Sequence, residues 1–229
     1  DAPVISEANA TLNLSLPEDG TFAYDLNASD VDGDTLSWTL SSGASNGTAS
    51  INSGTGVLSY SPGTNYSGND SLTVQVSDGS LTDSLVINLR ITAVNDAPVI
   101  SEANANLNLS LTEDGTFAYD LNASDVDGDT LSWTLSSGAS NGTASINSGT
   151  GVLSYSPATN YSGNDSLTVQ VSDGSLTDSL VINLTITAVN DAPVISEANT
   201  TLNLSLTEDG TIAYDLNASD ADGDTLSWT

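Results

Sequence analysis

The groups in this chain whose types and spacing could do chemistry are Glu18-Asp19-Gly20, Asp30-Val31-Asp32-Gly33-Asp34 and Asn95-Asp96, and each returns further along. All of them are oxygen donors. Thirty acidic residues face a single base, Arg90, for a formal charge of −29, and histidine, cysteine and lysine are absent. That removes an imidazole base, thiolate chemistry, disulfides, the usual zinc sites and any lysine–asparagine cross-link. What oxygens alone can do is hold a hard cation. Calcium accepts six to eight of them in a tolerant geometry, whereas magnesium demands a stricter octahedron. The competing reading of any single aspartate is an ordinary turn residue, because Asp-Gly and Asn-Asp suit turns for backbone reasons. An EF-hand is ruled out. Gly33 is the fourth residue from Asp30 rather than the sixth, the twelfth is Ser41 rather than Glu, and the flanks read as strands.

The elements that must position these acids are set by a repeat. The run beginning Asp1-Ala-Pro-Val-Ile5 returns at Asp96 and at Asp191, a period of 95. Residues 1–95 and 96–190 differ at four positions, Thr11/Asn106, Pro17/Thr112, Gly63/Ala158 and Arg90/Thr185, and residues 191–229 repeat the first 39 positions. A period of 95 is too long for a solenoid unit and fits a whole small domain. The reading is therefore two repeats, 1–95 and 96–190, and the N-terminal part of a third, 191–229, which cannot bury a core by itself.

Within a repeat, apolar residues alternate with polar ones at Leu12-Leu14-Leu16, Phe22-Tyr24-Leu26, Leu36-Trp38-Leu40, Leu72-Val74-Val76 and Leu85-Ile87-Leu89-Ile91. Shorter strands are expected at 48–51 and 57–60, with turns between, including 67–69. The expected fold is all-β: tandem seven-stranded Greek-key sandwiches joined end to end. Alternation points Phe22, Tyr24 and Trp38 inward, as core rather than a sugar-stacking platform, and leaves Tyr66 as a weaker exposed aromatic. Asp70 and Asp83 read as turn or strand-face residues.

Seven strands running alternately up and down put the chain ends at opposite poles. Stacked head to tail, repeat one would bring Glu18 and Asp19 to a joint formed by Asn95 and Asp96. Repeat two would bring Asp125, Asp127, Asp129 and the sixth loop's Asp173. The next joint would gather Glu113, Asp114, Asn190, Asp191, Asp220, Asp222 and Asp224. Like charges that close cost free energy unless a cation sits among them, so calcium is the expected cofactor.

The acidity repels phosphate backbones and anionic membranes, so nucleic-acid partners and direct membrane insertion are not expected. No apolar run approaches the roughly 18 residues of a membrane span. No leader sequence is visible, which reads as an internal segment of a longer chain. Paired acids could suggest a glycosidase, but they sit in short turns with no long loops to build a cleft, so no enzyme activity is expected. Sequons such as those at Asn13, Asn46 and Asn65 are what a chain rich in Asn, Ser and Thr produces by chance.

The combination of Glu18-Asp-Gly, Ala28-Ser-Asp-Val-Asp-Gly-Asp-Thr-Leu36, Asn46-Gly-Thr, Tyr60-Ser-Pro, Tyr66-Ser-Gly-Asn-Asp-Ser, Val76-Ser-Asp-Gly and Val94-Asn-Asp-Ala-Pro98 resembles the cadherin-like tandem repeats of bacterial surface and RTX-type adhesins. The resemblance implies an extracellular or cell-surface stalk whose joints are stiffened by calcium. It also implies partners in neighbouring repeats, with glycans or like repeats on another chain as the alternative. More distantly the chain is similar to true cadherins, in which Glu18 and Glu113, Asn95 and Asp96, Asp125 and Asp127, and Asp173 match calcium-ligand places. Two departures, Ala93 at the linker's leading acid and Asn65-Tyr-Ser67 before the sixth strand, imply fewer ions per joint than in animal cadherins, or more weakly held ones. Affinities of about 10⁻⁴–10⁻³ M are typical of such extracellular modules.

Overall fold

Leucine alternating with small polar residues makes β2 (Thr11–Pro17) a strand with one face for a core and one for water. The same rule gives β3 (Phe22–Asp25), β5 (Ser37–Ser42), β6 (Gly47–Ile51), β7 (Val57–Pro62), β8 (Gly68–Ser77) and β9 (Thr82–Thr92). These are the seven strands expected. Two further pieces, β1 (Val4–Ile5) and β4 (Ala28–Ser29), pair only with each other. The computed structural model describes residues 1–7, 11–102, 106–197 and 201–229, and no helix occurs among them. They divide into two units, Asp1–Asn95 and Asp96–Thr229.

In the first unit one sheet runs β2-β9-β8-β5 and the other β3-β7-β6. Consecutive strands β2 and β3 lie in different sheets, so the connection is a Greek key, not a meander. β2 runs parallel to β9, from Thr11↔Val86 to Pro17↔Thr92. Between the sheets lie Leu72, Val74 and Val76 of β8 and Leu85, Ile87, Leu89 and Ile91 of β9. They meet Leu58 and Tyr60 of β7, with Leu26 and Trp38. Each such side chain contributes about 1.5–3 kcal/mol on burial. Phe22 stacks at a tilt on Tyr60, with centroids 5.9 Å apart. Phe22 and Tyr24 are half-buried against this core, as alternation requires.

Asp70 is not the turn or strand-face residue its surroundings suggest. It is buried, and its carboxylate accepts N–H bonds from Ser45 (3.0 Å), Asn46 (2.9 Å) and Ser71 (2.8 Å) and the Tyr60 hydroxyl (3.0 Å). The expected turn at 67–69 is shorter, because β8 already begins at Gly68. Tyr66 is half-buried, donating its hydroxyl to the Asn69 carbonyl at 2.7 Å. Asp83, at the start of β9, accepts the Ile5 N–H at 2.9 Å and so ties β1 to the sheet.

The second unit repeats this plan. It contains β10 (Val99–Ile100), β11 (Asn106–Thr112), β12 (Phe117–Asp120), β13 (Ala123–Ser124), β14 (Ser132–Ser137), β15 (Gly142–Ile146), β16 (Val152–Pro157), β17 (Gly163–Ser172) and β18 (Thr177–Thr187). Its sheets are β11-β18-β17-β14 and β12-β16-β15. Among the described residues the third copy contributes β19 (Val194–Ile195) paired with β20 (Ala218–Ser219). Its Leu204, Tyr214 and Trp228 are 46%, 51% and 56% exposed, where Leu14, Tyr24 and Trp38 of the first repeat pack into a core.

Two expectations follow. Gly56 has φ +74°, and a Cβ there would lie 2.6 Å from the Leu26 carbonyl and 2.8 Å from Trp38 Nε1, whereas Gly33, at φ +77°, has open space around it. Gly56→Ala should destabilise the first unit by about 2–4 kcal/mol and Gly33→Ala by about 1–2 kcal/mol, read from urea unfolding followed by resolved amide resonances.

Burial raises the Asp70 pKa, but its four hydrogen bonds outweigh that and hold it below the ordinary value. Its contribution is therefore complete above the unfolded-state pKa of about 3.9 and is lost as pH falls through the lower folded value. Asp70→Asn should cost about 2–4 kcal/mol at neutral pH and flatten the acid limb of the stability curve.

Candidate metal centre

In the second unit the parallel register pairs Thr112 with Thr187, so the residues just past β11 and β18 emerge side by side. Glu113, 6% exposed, donates its N–H to the Thr187 carbonyl at 3.1 Å and takes the Val189 N–H on Oε1 at 2.7 Å. Its carboxylate is fixed at the point where the chain leaves the sandwich. The β19–β20 pairing, Val194↔Ser219, brings Asp191 beside the third acidic loop. There the Asp191 N–H donates to Asp222 Oδ2 at 2.6 Å. Asp220 Oδ1 receives the N–H groups of Asp222 (3.0 Å) and Asp224 (3.2 Å), which curls the loop around it.

One carboxylate oxygen from each of Glu113, Asp191 and Asp222 lies within 4.8 Å of the others. Asp191 Oδ2 is buried and has no hydrogen-bond partner. Its burial, then the charges of Asp114, Asp222, Glu113 and Asp220, hold the Asp191 carboxyl above its ordinary pKa. Asn190 Nδ2 donates to the Asp191 carbonyl at 2.9 Å. An all-oxygen donor set, crowded like charges and an orphaned buried oxygen fit a hard cation, calcium above others.

Asp125, Asp127 and Asp129 form a second group within 4.8 Å. Asp125 Oδ1 accepts the N–H groups of Asp127 (2.9 Å) and Asp129 (3.3 Å), and its Oδ2 is buried without a partner. The Asp96 N–H donates to Asp127 Oδ2 at 2.8 Å. Asp30, Asp32 and Asp34 repeat this grouping in the first unit. Gly128, at φ +80°, supplies the left-handed residue that turns the chain between Asp127 and Asp129.

Glu18, Asp19 and Asn95 belong to the first unit, and Asp96, Asp125, Asp127 and Asp129 to the second. Glu18 is 5% exposed and accepts the Val94 N–H on Oε1 at 2.7 Å, as Glu113 does with Val189. Asp173 stands outside the three-residue groups. Its Oδ1 closes the β17–β18 turn, taking the N–H groups of Ser175 (2.5 Å) and Leu176 (2.6 Å). Sequence reasoning passed over Glu102, whose Oε1 accepts the Asn122 N–H at 3.1 Å and whose Oε2 is buried without a partner. Nothing in the run Ser101-Glu102-Ala103 signals that.

Among solved structures, a two-repeat cadherin fragment shares this fold. The first two repeats of human protocadherin-24 align with a TM-score of 0.53 at 18% identity, covering 82% of this chain and 99% of that one. The human desmocollin-1 ectodomain aligns at 13% identity and a TM-score of 0.38, over 85% of this chain and 43% of that one. An endo-fucoidan hydrolase of glycoside hydrolase family 107 aligns at 24% identity and a TM-score of 0.36, over 82% of this chain. The chain spans only 29% of that hydrolase. At these identities the likeness is one of fold. Among curated proteins nothing matches. The family profile described as bacterial Ig domain matches residues 1–90 and again 95–185, most of the chain in two tandem copies. The chain therefore belongs to the bacterial Ig domain family.

Proposed function

We propose that this chain is a structural extender of a large secreted or surface-displayed bacterial adhesin, with calcium at Glu113, Asp191 and Asp222 fixing one repeat against the next. The observation that carries this reading is the gathering of those three carboxylates with no base nearby, around a buried oxygen of Asp191 that has no donor. Calcium, when bound, supplies the positive charge that offsets their repulsion. Glu113 is held by the end of one sandwich and Asp191 and Asp222 by the loop of the following copy, so a shared ion ties the two together. Asp114 and Asp220 add their charges beside Asp191, while Asp224 bonds back to Asp220 and the Asn190 amide to the Asp191 carbonyl. The period of 95 carries the proposal by sequence alone to Glu18, Asp19, Asn95, Asp96, Asp125, Asp127 and Asp129.

Near-identical copies suit a role in which number sets reach. A strand of 11 residues such as β9 spans about 36 Å at roughly 3.3 Å per residue, so each repeat adds about that much length. Membership of the bacterial Ig domain family supports an adhesion or structural role at the cell exterior. No helix among the described residues is long and apolar enough to cross a membrane.

Calcium titration of the full chain, followed at the Asp191 carboxyl carbon so that this joint is read apart from the equivalent one at Asp96, should show binding at about 10⁻⁴–10⁻³ M, weakened about tenfold or more in a Glu113→Gln, Asp222→Asn double variant. No change in affinity would sink the assignment. Calcium should also lower the Asp191 pKa, since a nearby cation favours the carboxylate, as should Asp114→Asn by removing a repelling charge. Carboxyl carbon resonances would follow both. In small-angle scattering, chelation should alter the distance distribution while far-UV circular dichroism stays constant, because the sandwich cores hold no ligand. An unchanged distribution counts against calcium at the joints.

A further inference from the structure

Arg90 is the single base of the chain, and among the described residues no acid pairs with it. Side chains on β9 alternate, so Arg90 shares the outward face with Asn88. Cross-strand register sets Asn13, Asn88 and Ser71 in one row and Ser15, Arg90 and Asn69 in the next. The Ser45-Asn46 segment rises beside them as a wall, and the groove so formed has a volume of about 670 Å³. Asp70 is the one acid lining it. Its carboxylate already accepts four hydrogen bonds, two of them from the N–H groups of Ser45 and Asn46. It builds the wall instead of meeting a ligand.

The remaining groups are unspent. Asn88 Nδ2 donates to Asn13 Oδ1 at 3.1 Å, which orders both amides and leaves the Asn13 N–H groups and the Asn88 carbonyl facing out. Rows of amides and hydroxyls both donate and accept, as ring hydroxyls of a sugar require. A guanidinium is a planar fork matched to a carboxylate. At physiological ionic strength charges beyond about 8 Å are largely screened, so the close charges in this groove are the Asp70 carboxylate, which is buried, and the Arg90 guanidinium, which is the exposed one. The second repeat supplies a comparison. Its groove keeps Asn183, Asn164 and Ser166 but carries Thr185 where the first has Arg90, with a volume of about 530 Å³.

We propose that the Arg90 groove of the first repeat binds a glycan carrying an isolated uronate among neutral sugars, the guanidinium holding the carboxylate and the asparagine–serine row the ring hydroxyls; a densely charged polyuronate is repelled by the −29 chain as other polyanions are. The second repeat, lacking the cation, does not take the acidic sugar. The test is titration of the full chain with a neutral oligosaccharide bearing one terminal galacturonate, in EGTA so that calcium cannot bridge ligand and protein, following amide resonances of Asn88, Arg90 and Ser71. Arg90→Thr introduces the residue that the second repeat carries on an identical strand register, so folding is not at issue. It should weaken binding about tenfold or more. Thr185→Arg should create a second site marked by Asn183. A neutral oligosaccharide of equal length should bind far more weakly. The proposal is overturned by no binding at millimolar ligand, by affinity unchanged in Arg90→Thr, or by preference for a sulfated oligosaccharide over the uronate.

Discussion

The parallel pairing of β11 with β18 is the constraint from which the acidic centre follows. A parallel pair cannot be closed by a tight turn, and here the whole sandwich is the connection between its first and last long strands. The ends of both strands therefore lie together at the pole where the chain leaves. That is why Glu113 bonds to Thr187 and Val189, 74 and 76 residues later. Any acid placed immediately after the first strand must meet the linker to the next copy. The β19–β20 pair supplies the other half, setting Asp191 against Asp222 through a backbone N–H. Regular backbone geometry, not a long specialised loop, assembles the site.

Within that geometry the same residue type serves two opposite ends. Asp70 and Asp191 are both aspartates drawn out of bulk water, yet their carboxyls shift in opposite directions. Burial pushes both upward. Asp70 meets four donors, which more than reverse the shift, and Asp191 meets four anions, which add to it. A saturated acid stabilises its surroundings and has nothing left to offer. An acid crowded by its own kind is costly until a cation arrives. The distinction lies in which partners surround a carboxylate, more than in how deeply it is buried.

The strands were legible because each long one faces a core on one side only, so period two is written directly into runs such as Leu85-Ile87-Leu89-Ile91. Two-residue strands such as β1 and β4 carry no period and left no such mark. The acids gathered at Glu113, Asp191 and Asp222 were legible through topology, since alternating strand direction assigns each loop to a pole. Asp70 was not, because Asn69-Asp70-Ser71 has the composition of a turn, and only the three-dimensional path brings Ser45, Asn46 and Tyr60 to it. Asp173 shows the reverse. Its position suggested a ligand, and the turn its Oδ1 closes in its own hairpin was not legible beside that.

Near-identity between adjacent β-domains carries a physical hazard that the same acids mitigate. Tandem copies can exchange matching strands during folding, because each edge finds an equally good partner in its neighbour. Edge strands such as β6, Gly-Thr-Ala-Ser-Ile, contain no charge or proline to discourage pairing. A net charge of −29 with one base makes unfolded copies repel at every separation within the screening length. The four differences between the full copies fall on exposed or half-buried positions, so neither core nor acidic loops have diverged. Packing and charge constrain the same sequence together. Packing specifies each sandwich, and the charge opposes the merging of unfolded copies.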